Sequence, residues 1–140
     1  MEKELSKQGS SVFEQIKRVY EGSFNYAIFQ NHGYQGLYGA LDAKAIHEKK
    51  GLKKSQQLLD HMGSTELAAN LFRATQTEEK LRRENITGKH NANQTHYHVG
   101  KKVRQTIKEI GGTMPENLPV ADGIKKVEGK TKPKLKRKKS

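Results

Sequence analysis

The sequence contains no cysteine, no tryptophan and only three prolines. The missing cysteines exclude disulfide scaffolds, cysteine-ligated zinc sites and thiol nucleophiles. No apolar run approaches the ~18 residues that a membrane-spanning helix needs. The opening residues, MEKELSKQGSS, lack the apolar stretch of a secretory signal. We therefore expect a cytoplasmic protein with no membrane contact.

The chain is also poor in apolar residues, which make up 32% of its 140 positions. This length and composition predict one small domain, with part of the chain outside its core. We predict three regions: an N-terminal helix and linker over 1–23, a helical domain over 24–119, and a disordered basic tail over 120–140.

The net charge of +12 is concentrated at the C-terminus. Residues 124–140 carry nine basic residues and one acid, a net of +8, whereas residues 1–123 carry 18 and 14, a net of +4. Such a segment binds phosphates by releasing counterions, without reading sequence. The alternative is a solvated terminus that aids only solubility. The candidate nucleic-acid contacts here are Lys132, Lys134, Lys136, Arg137, Lys138 and Lys139.

Hydrophobic periodicity predicts an all-α fold with several short helices. Ser11 opens a capping-box pattern, which favours a helix of about three turns that ends near Gly22. Asp42 predicts the N-cap of a second helix, with Gly51 just after its end. Ser55 would then open a short partner helix, SQQLLDHM, a weak helix-turn-helix pattern.

Two longer helices follow in the sequence. Ser64 predicts an N-cap, and the helix extends over 65–85 with Glu66 in its first turn. Its apolar stripe consists of Leu67, Leu71, Ala74 and Leu81, widened by Ala68 and Phe72. Two i,i+4 pairs, Glu78–Arg82 and Glu79–Arg83, support this helix.

The polar residues 88–95 predict a loop before a last helix. This helix starts near Asn93 and ends at Gly111. It carries His96, Val99, Val103, Ile107 and Ile110 on one face.

The stretch 24–41, FNYAIFQNHGYQGLYGAL, holds five of the nine aromatic residues and a glycine at every third position from Gly33 to Gly39. This spacing predicts a compact, turn-rich segment that packs its rings into the core. The alternative is that the rings stack on unpaired bases beside a basic surface.

The sequence shows little sign of catalytic or metal chemistry. His90, His96 and His98 are the only dense cluster of potential ligands, but their spacing does not suit zinc on a helix. We expect no metal, no cofactor and no enzymatic activity. The basic residues of the body form candidate phosphate contacts, or else ordinary solvated helix faces: Lys53, Lys54, Arg73, Arg82, Arg83, Lys101, Lys102 and Arg104.

Two long strings resemble one known family. Residues 27–83, beginning AIFQNHGYQGLYGALDAKAIHEKKGLKKSQQLLDHMGS, are similar to the C-terminal region of the bacterial DNA-damage-inducible protein D family. The stretch 90–119, HNANQTHYHVGKKVRQTIKEIGGTMPENLP, continues the resemblance.

The resemblance implies a bacterial, cytoplasmic protein of the damage-induced SOS response. Full-length members look like two-part proteins, with an N-terminal BRO-type domain associated with DNA binding. Here SVFEQIKRV, residues 11–19, is similar to the opening of such members, yet the chain passes almost directly into AIFQNHGYQG. We interpret it as a member with most of that domain missing, through internal deletion or truncation.

Two functions are therefore open. The first is a non-enzymatic modulator that binds DNA, single- or double-stranded, largely by electrostatics, or binds a recombinase–ssDNA filament. The second is a protein-interaction or oligomerisation module with no nucleic-acid role of its own. Its partner would be a second copy or a full-length family member.

Overall fold

The computed structural model describes residues 25–122. Within them the chain forms four α-helices and two short 3₁₀ turns, and its only β-structure is one isolated bridge, Met62 with Val120. The prediction of an all-α fold is confirmed. The helices are α1, Tyr26–Leu37; α2, Ala43–Lys49; α3, Ser64–Arg83; and α4, Lys89–Glu109, with 3₁₀ turns at Leu59–His61 and Pro115–Asn117.

The aromatic stretch forms a regular helix, α1, over most of its length, so the prediction of a turn-rich segment is wrong there. Its glycines lie where α1 crosses α4. A Cβ on Gly36 would collide with the carbonyl oxygen of Tyr97 and come within 2.9 Å of the amide nitrogen of Lys101. A Cβ on Gly100 would lie 2.7 Å from the carbonyl oxygen of Gly33. Close packing of the two backbones offsets the low helix propensity of glycine.

The prediction that the aromatic rings enter the core is confirmed for three of them. Phe29, Tyr34 and Tyr38 are all at most 3% exposed. Tyr34 and Tyr38 belong to the larger apolar cluster, to which all four helices contribute, and Phe29 belongs to a smaller one with Leu81 and Ala92.

Helix α2 follows the sequence prediction closely. The Asp42 carboxylate accepts a hydrogen bond from the Ala45 amide at 3.0 Å, and Gly51 takes the left-handed conformation, φ 68°, just beyond the helix. The predicted partner helix from Ser55 is wrong, because only a single 3₁₀ turn forms there. The Gln56 side chain and backbone are bonded to Lys53 in a tight turn instead. The helix-turn-helix pattern therefore lacks its second helix.

Helix α3 begins one residue earlier than predicted and is capped by Gly63, without a side-chain cap. Leu67, Ala74 and Leu81 are buried as predicted, but Ala68 and Phe72 are exposed, so the widened stripe is wrong. The buried face of α3 includes four polar residues instead: Glu66, Asn70, Arg73 and Thr77.

Helix α4 starts at Lys89, so the prediction of a loop over 88–95 is wrong. Its first turns look polar, yet Ala92, Thr95 and His96 are buried. The end of the helix before Gly111 is confirmed, whereas Ile110 is 77% exposed and lies outside the core.

The segment after α4 is bonded back onto the body. The Lys50 ammonium donates to the carbonyl oxygens of Pro115 and Leu118, and Arg104 forms a two-pronged ion pair with Glu116. The Ala121 amide donates to the carbonyl oxygen of His61 at 2.8 Å. Of the predicted tail over 120–140, residues 120–122 are described and contact the body through the Val120 bridge to Met62 and the Ala121 amide. The remainder of the tail, and the predicted N-terminal helix and linker over 1–23, lie outside the described residues.

Candidate nucleic-acid interface

Arg73 was one of the candidate phosphate contacts, and the structure rules it out. Its side chain is fully buried, at 0% exposed, on the inner face of α3. One guanidinium nitrogen donates to Nε2 of His96, and the other donates to the Asn70 side-chain oxygen at 2.8 Å. The guanidinium also lies 4.9 Å from the ring centroid of Tyr34, a cation–π distance. Arg73 therefore stabilises the core and cannot reach a bound phosphate.

Arg73 belongs to a continuous chain of buried hydrogen bonds. The Glu66 carboxylate pairs with the Lys50 ammonium at 3.0 Å and accepts from the Tyr38 hydroxyl at 2.5 Å. The Asn70 amide nitrogen in turn donates to the Tyr38 hydroxyl at 2.9 Å. Burial, together with the nearby Glu66 charge, raises the pKa of Tyr38 well above its usual value. We call this chain the buried polar network; it consists of Lys50, Glu66, Tyr38, Asn70, Arg73 and His96.

His96 ends the buried polar network as a neutral imidazole. Its Nδ1 lies 2.8 Å from the carbonyl oxygen of Phe29, which can only accept, so Nδ1 holds the proton and Nε2 accepts from Arg73. Burial, and then the charge of Arg73, hold the pKa of His96 well below its usual value. His96 lies on the predicted inner face of α4, where its side chain is 0% exposed. His98, two residues further along α4, is exposed.

Arg104 is the second candidate that the structure removes from a phosphate-binding surface. Its guanidinium is partly buried, with 27% of the side chain exposed, and bonds both carboxylate oxygens of Glu116 at 2.8 and 2.9 Å. It also donates to the carbonyl oxygen of Leu37 at 3.1 Å. The hydrogen bonds to Glu116 raise the pKa of Arg104. This geometry holds the segment after α4 against the end of α1.

The six remaining candidates in the described residues are exposed and fall into two groups. Lys53 and Lys54 lie in the connection after α2. Arg82 and Arg83 at the end of α3, and Lys101 and Lys102 on α4, form the second group. Arg82 pairs with Glu78, and Arg83 with Glu79, as the i,i+4 spacing predicted. The candidates of the tail lie outside the described residues.

A groove between α3 and α4 brings part of the second group together. The groove encloses about 430 Å³. Phe72, 55% exposed, lies in its wall with two candidates from the sequence, Arg83 and Lys102. We call it the α3–α4 groove; its lining is Phe72, Gln76, Lys80, Arg83, His98, Val99, Lys102, Val103 and Thr106.

A second cavity, of about 570 Å³, lies between α1, α2 and the connection that follows α2. It contains Lys54 together with Lys44, and also an acid, Asp60. We call it the α1–α2 cavity. Its lining is more mixed than that of the α3–α4 groove, with Tyr34, His47 and three glutamines among the polar groups.

Sequence reasoning missed Phe72, Lys80 and His98 as parts of a binding surface. Phe72 was assigned to the core because an apolar residue extended the stripe of α3. A signal was present nonetheless: positions 72, 76, 80 and 83 follow helical spacing, and the last three are all polar. An aromatic residue in an otherwise polar row indicates an exposed ring.

Metal and membrane features are absent from the described part of the chain. Between residues 25 and 122, no three histidine, aspartate or glutamate side chains come together to hold a metal ion. His96 is engaged within the core, while His98 faces the α3–α4 groove. Over the same residues no helix is both long and apolar enough to cross a membrane.

Comparison with known proteins agrees with the resemblance noted in the sequence. No solved structure matches the chain significantly. DNA damage-inducible protein D of Escherichia coli (strain K12) is 69% identical over 109 residues, which are 77% of this chain and 40% of that relative. The chain thus spans less than half of the relative's length. The family model of the DinD C-terminal domain matches residues 2–127. The chain therefore belongs to the DinD C-terminal domain family.

Proposed function

We propose that this chain is a non-enzymatic protein of the DNA-damage (SOS) response, acting in the cytoplasm, that binds DNA. The damage-response role is supported by family membership and by a relative whose name is DNA damage-inducible protein D. A recombinase–ssDNA filament is the partner that we propose it modulates. That partner is consistent with the proposed chemistry, because such a filament presents phosphates beside protein.

The observation that carries the DNA-binding proposal is the group of exposed cations at the α3–α4 surface. Arg82 and Arg83 are exposed at the end of α3, next to the partly exposed Lys80, and Lys101 and Lys102 are exposed on α4. Both arginines are exposed in their ion pairs with Glu78 and Glu79, and surface pairs of this kind contribute little to stability. A phosphate can therefore replace the carboxylate at little cost.

The basic residues of 124–140 would add electrostatic affinity to this surface. Nine basic residues against one acid attract any polyanion, and each phosphate contact releases counterions. We propose that the tail supplies affinity without discrimination, and that the folded surface positions the DNA.

Binding is best tested with the full chain, by fluorescence anisotropy of labelled single- and double-stranded oligonucleotides at stepped salt. Lys101→Gln with Lys102→Gln should weaken binding. It should also lower the log–log salt slope on single strands by about 1.4, at ~0.7 per phosphate contact. Lys53→Gln with Lys54→Gln removes the same charge from the α1–α2 side and should have a smaller effect.

Two outcomes would contradict the proposal. Equal losses in both double variants would mean that DNA responds only to net charge. No binding near physiological salt would favour the protein-interaction or oligomerisation module, and co-elution with a second copy or a full-length relative would then be the next measurement.

A further inference from the structure

The α3–α4 groove carries an exposed aromatic ring. Phe72 is 55% exposed, although α3 has apolar positions that the core does use. Beside the ring, Val99 and Val103 of α4 add apolar wall, and a volume of about 430 Å³ lies within the range of ligand sites, ~300–1,000 Å³. The groove can therefore accept a flat ring against Phe72.

Cations surround that apolar wall. Lys80 and Arg83 extend from α3, and Lys102 extends from the facing side of α4. Among the described residues that line the groove, none is acidic. Lys80 and Arg83 pair with Glu84 and Glu79 at the helix surface, where side chains are 39–58% exposed, so these partners are exchangeable. The groove complements a ligand with both a flat ring and negative charges.

Unpaired nucleotides have this combination, and duplexes do not present it. In a duplex the base faces are stacked on one another, whereas a single strand can turn a base onto a protein aromatic ring. Stacking of this kind is sequence-tolerant and leaves the phosphates on both sides free to contact cations.

We propose that the α3–α4 groove is a single-stranded DNA subsite, in which an unpaired base stacks on Phe72 while its neighbouring phosphates contact Lys80, Arg83 and Lys102. This rests on the proposed function, because it takes DNA as the ligand. It adds a preference that the cations alone do not provide: single strands bind more tightly than duplexes at equal charge.

The test uses the absence of tryptophan from the sequence. Phe72→Trp in the full chain places one tryptophan in the groove, where stacking on a base quenches its fluorescence. Oligothymidylate should quench it, and a duplex at equal phosphate concentration should quench it far less. Ile28→Trp on α1 is the matched control, because Ile28 is exposed to a similar degree, 49%, and does not line the groove. Its emission should not respond.

Phe72→Ala supplies a second readout. Loss of one stacked base should weaken oligothymidylate binding about tenfold, and duplex binding should change less than twofold. Retained oligothymidylate affinity in Phe72→Ala, with no quenching of Phe72→Trp, would overturn the subsite while the proposed DNA binding stood. Failure of the unsubstituted chain to bind either form would overturn both.

Other occupants of the groove give distinct results. If the emission of Phe72→Trp is already that of a buried indole in the free chain and DNA does not change it, another part of the chain or a second copy covers the ring. Dependence of that emission on protein concentration would indicate the second copy. Either result overturns the subsite.

Discussion

The two faces of α3 differ in a way that hydropathy does not predict. The inner face buries Glu66, Asn70, Arg73 and Thr77, while the outer face exposes Phe72 in a row with Gln76, Lys80 and Arg83. Each of these buried polar side chains has hydrogen-bond partners, several of them on other helices. Such hydrogen bonds offset the free-energy cost of removing a polar group from water. On α3, therefore, the side chains that face inward are decided by the hydrogen-bond partners available in the core as well as by apolarity.

Removing the carboxylate of the buried ion pair should have the largest effect on the inner face. Glu66→Gln leaves the Lys50 ammonium buried with carbonyl oxygens but no counter-charge, which should lower the free energy of unfolding by about 3–5 kcal/mol. Urea unfolding followed by circular dichroism measures this. Adding Lys50→Met should recover much of the loss. The exposed counterpart, Glu84→Gln, should lower the free energy of unfolding far less, because its ion pair with Lys80 lies at the surface. Equal losses for Glu66→Gln and Glu84→Gln would contradict the difference between the two faces.

The close packing of α1 on α4 is the next feature of the buried side that a single substitution should disrupt. Gly36→Ala places a methyl group against the α4 backbone, which cannot rotate away, so the helices must separate. We expect a loss of about 1–3 kcal/mol in the free energy of unfolding. Gly63→Ala is the matched control, because no atom lies within 4 Å of the added Cβ and φ is −71°. If Gly36→Ala left the free energy of unfolding unchanged, the backbones of α1 and α4 would not be in contact.

The buried neutral state of His96 predicts a pH dependence of stability. Its native pKa lies well below the unfolded value of ~6.5, so unfolded chains take up a proton there first. The contribution is fully present above about pH 6.5 and is lost as pH falls below it, at up to ~1.4 kcal/mol per pH unit. Urea midpoints measured between about pH 5 and 7.5 report it. His96→Gln should be less stable at neutral pH, but its urea midpoint should depend less steeply on pH. An unchanged dependence on pH would mean that a group other than His96 takes up the proton.

The smallest effect is expected on the outer face. Phe72→Ala should change the free energy of unfolding by less than about 1 kcal/mol, because the ring is already 55% exposed and alanine favours the helix. Leu67→Ala on the inner face, where Leu67 is 1% exposed, should cost about 2–5 kcal/mol. Thermal or urea unfolding of the two variants measures both. A large loss at Phe72 would show that the ring supports the fold.

Local signals in the sequence were sufficient for part of the fold. The all-α class, the capping of α2 by Asp42 and the buried row Leu67, Ala74 and Leu81 were all predicted correctly, because caps and seven-residue spacing act within a few turns. The two stretches that resemble the family, 27–83 and 90–119, were also recognisable from the sequence alone. These features depend on neighbours along the chain.

The remaining features depend on partners that are distant in sequence. Arg73 resembles any basic helix residue until His96, 23 positions later, is placed against it. The glycines of α1 predicted turns, since nothing local shows that α4 packs against them. Of the candidate site, Arg83 and Lys102 were identified by charge alone, whereas the position of Phe72 beside them required the packing of α3 on α4.

Residue-resolved NMR is the most direct test of the central claim, that the outer face of α3 together with α4 binds DNA. The ¹⁵N-labelled full chain would be titrated with a short oligothymidylate, and the amide shifts mapped onto the structure. We predict the largest shifts between residues 72 and 83 and between 98 and 106, with further changes in 124–140. Shifts confined to the tail, or centred on Lys44, His47 and Lys54 at the α1–α2 cavity, would contradict it.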